Sequence, residues 1–176
     1  MGHLYVGGQI GLPGVHGGMN KLWIGEGAFN YLVDEAERTY PLETGGVLVG
    51  YFANNGEPVV QYVVGPGPEA IHERNRFGPD HEWQCRALDE IFEMTSARSV
   101  YLGDWHTHPD GTPVMSWLDR RTLRGIARYS DAALARPLML IGGGSNRKWA
   151  WKVHQYTGEL LGGFLIQHTT GTVRVF

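Results

Sequence analysis

The chain has 176 residues, 42% of them hydrophobic, which suits one domain with a real core and excludes a disordered chain. Its 26 glycines are roughly double the average share, but they follow no strict period; collagen is excluded and many tight turns are expected. A net charge of −3, from 15 basic and 18 acidic residues mixed along the chain, builds no basic stripe and argues against nucleic acid as a partner.

The lone cysteine, Cys85, excludes an internal disulfide and suits a reducing compartment. The opening residues carry no basic n-region, and Gly and Pro interrupt their apolar run, so no secretory signal is expected. Val6 stands where a myristoylation site needs Ser or Thr. Apolar stretches such as PLMLIGG are too short to span a bilayer. The expectation is a cytoplasmic protein without a membrane partner.

In chain order, residues 1–20 read as an irregular Gly-rich arm, and 21–176 as one domain. KLWI (21–24) fits a short strand. Phe29, Leu32, Val33, Ala36 and Tyr40 recur at helical spacing from Glu26, and Pro41 ends the segment. GGVLVGYF (45–52) and PVVQYVVGP (58–66) read as a hairpin around AsnAsnGly (54–56). Residues 67–79 are polar and without period, which predicts a loop. Trp83, Ala87, Leu88, Ile91 and Phe92 mark a second helix, 99–109 a strand running into a loop, and 116 to about 129 a third helix. PLMLIGG, KWAWKVHQY, LLGGFLIQH and TVRVF are four further strand candidates, with Gly142–Gly144 and Ser145-Asn146 read as a turn. The sum is a single α/β domain with a mixed sheet flanked by helices.

Residues 103–119 read GDWHTHPDGTPVMSWLD. Strand side chains alternate, so His106 and His108 project the same way and can ligate one zinc ion. Asp119 supplies a third ligand of suitable type, and Glu43 is a candidate general base. Each residue has a plainer reading. A His-x-His pair in a chain with eight histidines reads equally well as structural. Ser116-x-x-Asp119 is also a capping box, and Glu43 alone reads as a solvated carboxylate. Only the joint spacing points to chemistry.

That joint pattern (Glu43, then His106-x-His108, seven residues, Ser116, two residues, Asp119) resembles the signature of the JAMM, or MPN-plus, zinc metalloproteases of the JAB-domain group. The resemblance implies their cytidine-deaminase-like fold, a mostly antiparallel curved sheet flanked by helices. It also implies one Zn2+ on His106, His108 and Asp119, with water at the fourth position. Glu43 would accept the proton of the attacking water, and Ser116 would stabilise the oxyanion. Thr107 replaces the usual Ser between the histidines, and Asp104-Trp105 replaces an aromatic pair. Neither change removes a ligand. YLGDWHTHP, with Arg76, Phe77 and Asp80 upstream, is similar to a bacterial branch found in cyclic-oligonucleotide antiphage (CBASS) systems. There the implied partner is a protein substrate: the C-terminal tail of a ubiquitin-like modifier or of a conjugated cGAS-like nucleotidyltransferase.

Other residues stay open. Asp104 shares the histidines' face by alternation, where it either orients a ligand or meets solvent. His72, Arg74 and Arg76 read as contacts to a substrate tail or as a solvated charge run. His154 and the tryptophans at 105, 149 and 151 read as structural, and Cys85 as a helix-face residue. Alternative functions are a protease trimming a sulfur-carrier protein, a scaffold that has lost its metal, and a nucleic-acid role like that of RadC-type proteins.

Overall fold

Gly, Val and Leu fill the segment Gly45–Phe52, a composition suited to a strand covered on both sides, and its first six residues are all buried. The computed structural model describes residues 19–160 and 165–176. The arm expected over 1–20 therefore lies outside the described residues except for Met19 and Asn20, and Met19 is buried in the core.

The strands are β1 (Lys21–Ile24), β2 (Gly45–Phe52), β3 (Pro58–Val64), β4 (Ile71–Glu73), β5 (Arg76–Gly78), β6 (Val100–Pro109), β7 (Leu138–Ser145), β8 (Lys148–Leu160) and β9 (Leu165–Val175); the helices are α1 (Glu26–Thr39), α2 (His81–Met94) and α3 (Trp117–Arg128). The main sheet runs β1-β3-β2-β6-β7-β8-β9 and closes on itself through a parallel β9–β1 pairing. Pairings β1/β3, β1/β9 and β6/β7 are parallel, and β2/β3, β2/β6, β7/β8 and β8/β9 antiparallel. The fold is thus the mixed, mostly antiparallel α/β architecture expected, with its curvature carried to closure. No described helix is long and apolar enough to cross a membrane.

Side-chain alternation sorts the core into two layers. Leu48, Leu102, Trp105, Leu138, Leu140 and Val153 face inward with Leu32, Ala28 and Phe29 of α1. On the other face, Val47, Val49 and Val64 pack beneath α2 through Trp83, Ala87, Leu88 and Ile91. Met139 and Ile141 pack with Met115 and with Leu123 of α3. Each fully buried aliphatic side chain here contributes about 1.5–3 kcal/mol. His106 pairs with Gly45 and Ile141, and His108 with Gly143, so both imidazoles emerge on the face that α3 covers. A bulge at Leu102–Gly103, where Gly103 has φ +142, shifts the β2–β6 register just before this stretch.

Three expectations need correction. Residues 67–79 are not all loop: β4 and β5 form a two-stranded ribbon, too short to announce itself by period. Gly142–Gly144 lie within β7, and the turn is Asn146-Arg147, both at positive φ as a tight hairpin requires. A Cβ at Gly143 would sit 2.3 Å from the Thr112 carbonyl carbon, so glycine there admits the loop that follows the histidines. The last two expected strands are one, because β9 runs through Thr170-Gly171 to Val175. Of LLGGFLIQH, Leu160 ends β8 and Leu165 opens β9, while 161–164 lie outside the described residues.

Candidate metal centre and active site

The site forms where the end of β6 meets the start of α3. Ser116 Oγ accepts the Asp119 backbone N–H at 3.2 Å, and the Asp119 carboxylate accepts the Ser116 N–H at 2.6 Å. This capping box satisfies two donors at the helix start and fixes the Asp119 side chain. The capping and ligand readings of Asp119 are therefore compatible: its Oδ1 lies 3.2 Å from His106 Nε2, its Oδ2 3.4 Å from His108 Nε2, and the two imidazole nitrogens stand 3.0 Å apart. A tetrahedral ion with ligands at about 2.0–2.1 Å has ligand–ligand edges of about 3.3–3.4 Å. The two imidazole nitrogens and the Asp119 carboxylate, each of whose oxygens faces one of them, are thus spaced to converge on one such ion. Among the described residues these three are the group able to hold a metal ion.

Donor chemistry agrees with the spacing. His108 Nδ1 lies 3.1 Å from the Thr112 carbonyl. A carbonyl only accepts, so Nδ1 carries a proton, which leaves Nε2 as the nitrogen that would ligate a metal once it gives up its own proton. Burial alone would raise the Asp119 pKa, but hydrogen bonds from His106 and His108 override it and hold the carboxyl far below its usual range. Burial would lower the His108 pKa; the Asp119 and Thr112 contacts and the charge of Glu43 raise it instead. A divalent cation would take over the role that protons play between these groups.

Glu43 and Ser116 border the same cleft of about 380 Å³ as His108 and Asp119. Burial pushes the Glu43 carboxyl up, partly offset by His106 and His108. This is the direction that suits a general base working near neutral pH. Glu43 is also pinned by its backbone: its N–H donates to the Glu73 carbonyl at 2.8 Å, and its carbonyl meets His72 Nδ1 at 2.9 Å. The β4–β5 ribbon thus forms a wall of the site. Arg74, at its tip, reaches across to Asp110 at 3.0 Å and borders the cleft with Asn75. Of the three basic residues singled out in 67–79, His72 and Arg74 come to the site, while Arg76 is exposed on β5.

A buried network passed unnoticed in the sequence. Thr44 N–H donates to Thr107 Oγ1 at 3.0 Å, and Thr107 N–H donates to the Thr44 carbonyl at 2.9 Å. The Thr44 hydroxyl in turn donates to Glu35 Oε1 at 3.1 Å, and Thr39 donates to the same carboxylate at 3.0 Å. Arg38 pairs with the other Glu35 oxygen. Thr44 and Thr107 have no exposed surface and Glu35 has 3%. The network joins the residue after Glu43 to the residue between the histidines. One signal was available: Glu35 stands three residues after Leu32, beside the apolar stripe of its helix.

Asp104 does lie on the histidines' face, but its carboxylate accepts the Tyr101 hydroxyl at 2.6 Å; the solvent-facing reading does not hold. His154 is buried with Nε2 3.0 Å from the Pro113 carbonyl, bracing the loop ahead of Ser116, as a structural histidine would. Trp105 is buried and donates to the Val64 carbonyl at 3.1 Å, and Trp149 donates to Glu37 at 2.7 Å. Cys85 is exposed on α2.

Residues 26–154 match the family described as prokaryotic homologs of the JAB domain. The chain belongs to that family. Its curated relatives agree. It is 38% identical over 144 residues, 79% of this chain and 84% of the relative, to the "Probable metalloprotease y4qB" of Sinorhizobium fredii. It is 28% identical over 131 residues, 73% of this chain and 70% of the relative, to a CD-NTase/cGAS isopeptidase of Enterobacter hormaechei. It is also 35% identical over 86 residues, 47% of this chain and 52% of the relative, to a protein of the same description from Vibrio cholerae. The solution structure of protein DSY2949 from Desulfitobacterium hafniense shares the fold, at a TM-score of 0.62 and 19% identity over 88% of this chain and 92% of that one. As a JAB-domain protein with its His-His-Asp group intact, the chain is a hydrolytic enzyme of the metallopeptidase class.

Proposed function

We propose that this JAB-domain chain is a zinc metallopeptidase that hydrolyses the peptide or isopeptide bond at the C-terminus of a ubiquitin-like modifier or of a conjugated cGAS-like nucleotidyltransferase, as a deconjugation step in antiphage defence. The observation that carries the reading is the triangle of His106 Nε2, His108 Nε2 and Asp119 carboxylate, with edges of 3.0 to 3.4 Å, opening on a cleft that Glu43 and Ser116 also border. The donor set suits zinc, which takes imidazole and carboxylate ligands and leaves one position open in catalytic sites.

Bound there, zinc supplies Lewis acidity, lowering the pKa of water toward ~7 and polarising the scissile carbonyl. The chain's own residues do the rest. Glu43, its carboxyl raised by burial, takes the proton of the attacking water and passes it to the departing amine. The Ser116 hydroxyl donates to the carbonyl oxygen as negative charge develops there. The Thr112 carbonyl fixes the tautomer of His108. The family match within 26–154 supports treating 21–176 as one catalytic domain.

Relatives described as CD-NTase/cGAS isopeptidases favour the nucleotidyltransferase conjugate over a sulfur-carrier substrate, which the same chemistry would serve. The deciding experiment incubates the zinc-loaded chain with a cGAS-like nucleotidyltransferase joined through its C-terminus to a second protein. Release of the intact nucleotidyltransferase, abolished by Glu43→Ala, is expected. Cleavage that persists in Glu43→Ala, or a purified chain that binds no zinc, would refute the reading.

A further inference from the structure

Helix α3 starts with exposed apolar residues. Trp117 is 72% exposed, Leu118 51%, and Val114 just ahead of the cap 53%. The helix needs none of them for its own seat: it is anchored by Leu123 in the core, by Asp119 and by the Ser116 cap. A tryptophan left in solvent at a helix start is costly to keep and is a residue type enriched in protein interfaces.

Two further observations say what covers it. The patch is continuous with the cleft, since Val114 and Leu118 line it together with Ser116, Asp119 and Glu43. A protein whose bond lies over Ser116 and Glu43 thus has Val114 and Leu118 along one wall of its cleft, with Trp117 beside them in sequence. The rim is also cationic. The Arg121 guanidinium lies 5.8 Å over the Trp117 ring, and α3 carries Arg120, Arg121, Arg124 and Arg128 against one acidic residue, Asp119, which is buried in the metal-ligating group. Arg128 pairs with Glu159 at 2.8 Å and Arg124 lies in the field of the same carboxylate, so the charge that counts at the patch is Arg121.

We propose that Val114, Trp117 and Leu118, with Arg121, are the docking surface for the folded body of the protein substrate, and that the face they take is apolar with carboxylates at its edge. The proposal rests on the peptidase reading above for the identity of the occupant. Trp117 fills an apolar recess of the substrate, and Arg121 pairs with an acidic group beside it. Cleavage of a conjugate then depends on two contacts, the tail in the cleft and the body on α3, while a free tail peptide makes only the first.

The test uses the full chain loaded with zinc and two probes: a cGAS-like nucleotidyltransferase fused through its C-terminal tail to a fluorescent protein, and the same tail as a fluorogenic peptide. Trp117→Ala is expected to raise KM for the fusion by about ten-fold, the scale of an interface hot spot, while changing KM for the peptide far less. Arg121→Glu is expected to weaken the fusion and to remove most of the salt dependence of its binding. Binding is read separately by anisotropy on the zinc-loaded Glu43→Ala form, which does not turn over. If that form binds the fusion and loses it with Trp117→Ala while the wild type cleaves nothing, the docking surface stands and the peptidase reading falls. Equal KM changes for fusion and peptide, no binding of the fusion, or a Trp117→Ala variant that sediments as monomer where the wild type is a dimer, each overturns the docking proposal. The last outcome would assign the patch to a second copy of the chain.

Discussion

Thr107 Oγ1 accepts the backbone N–H of Thr44 at 3.0 Å, in the one stretch where the strand carrying both histidines runs beside the residue that follows Glu43. The hydroxyl thereby registers the base against the ligands. Thr107→Val keeps the side-chain shape but leaves the buried Thr44 donor without an acceptor, at an expected cost of about 1–3 kcal/mol. Thr107→Ser should restore most of it. Denaturant unfolding of the two variants checks this. If valine is as stable as threonine, the registering role is wrong.

Removing members of the site should separate binding from turnover. Glu43→Ala is expected to keep zinc while losing about 10² to 10⁴ in kcat. His106→Ala should lose the metal itself. Elemental analysis beside single-turnover kinetics distinguishes the two, and a zinc-free Glu43→Ala protein would count against its assignment as base.

Ser116 combines a cap and a hydroxyl, and two substitutions pull these apart. Ser116→Ala should cost about 1 kcal/mol of stability through the lost cap, whereas glycine at the same position should cost only a few tenths. Both remove the hydroxyl and are expected to slow cleavage by about 10² to 10³. A glycine variant of near-normal activity would leave Ser116 with capping alone.

His154 predicts a pH effect away from the ligands. Burial first, then the charges of His168, Lys152 and Arg120, hold its imidazole below the ordinary 6.5, against the opposing pull of the Pro113 carbonyl. His168 is lowered in the same direction. Above 6.5 both folded and unfolded chains keep His154 neutral and stability is complete. As pH falls below 6.5 the unfolded chain binds the proton first, so stability declines until the depressed folded value is reached. The unfolding midpoint is expected to fall between pH 7 and about 5, and less steeply in His154→Gln. Identical slopes would show that His154 does not carry the effect.

Most strands of the main sheet were legible from alternation and the Ser116–Asp119 cap from its spacing, while the candidate ligands His106, His108 and Asp119 stood out only as a joint pattern. The β4–β5 ribbon was not legible, since three-residue strands leave no periodicity, and the Glu73–Glu43 contact that seats it joins residues far apart in sequence. The Glu35–Thr44–Thr107 chain was hidden for a similar reason, since its hydroxyls and carboxylate look like surface residues until the fold buries them. The glycine run at 142–144 misled because glycine marks turns in most sequences. Here it makes room for the Trp151 ring and the Thr112-Pro113 loop.

The closed order of the main sheet limits how a peptide can be held. With β9 bonded to β1 over Thr172–Val175, each strand of that sheet has, among the described residues, a partner on both sides for at least part of its length, and β2 beside Glu43 lies between β3 and β6. A tail drawn toward Glu43 finds no free flank on β2 between Val47 and Gly50. It can follow the β4–β5 ribbon, whose flanks stay unpaired within its own small sheet.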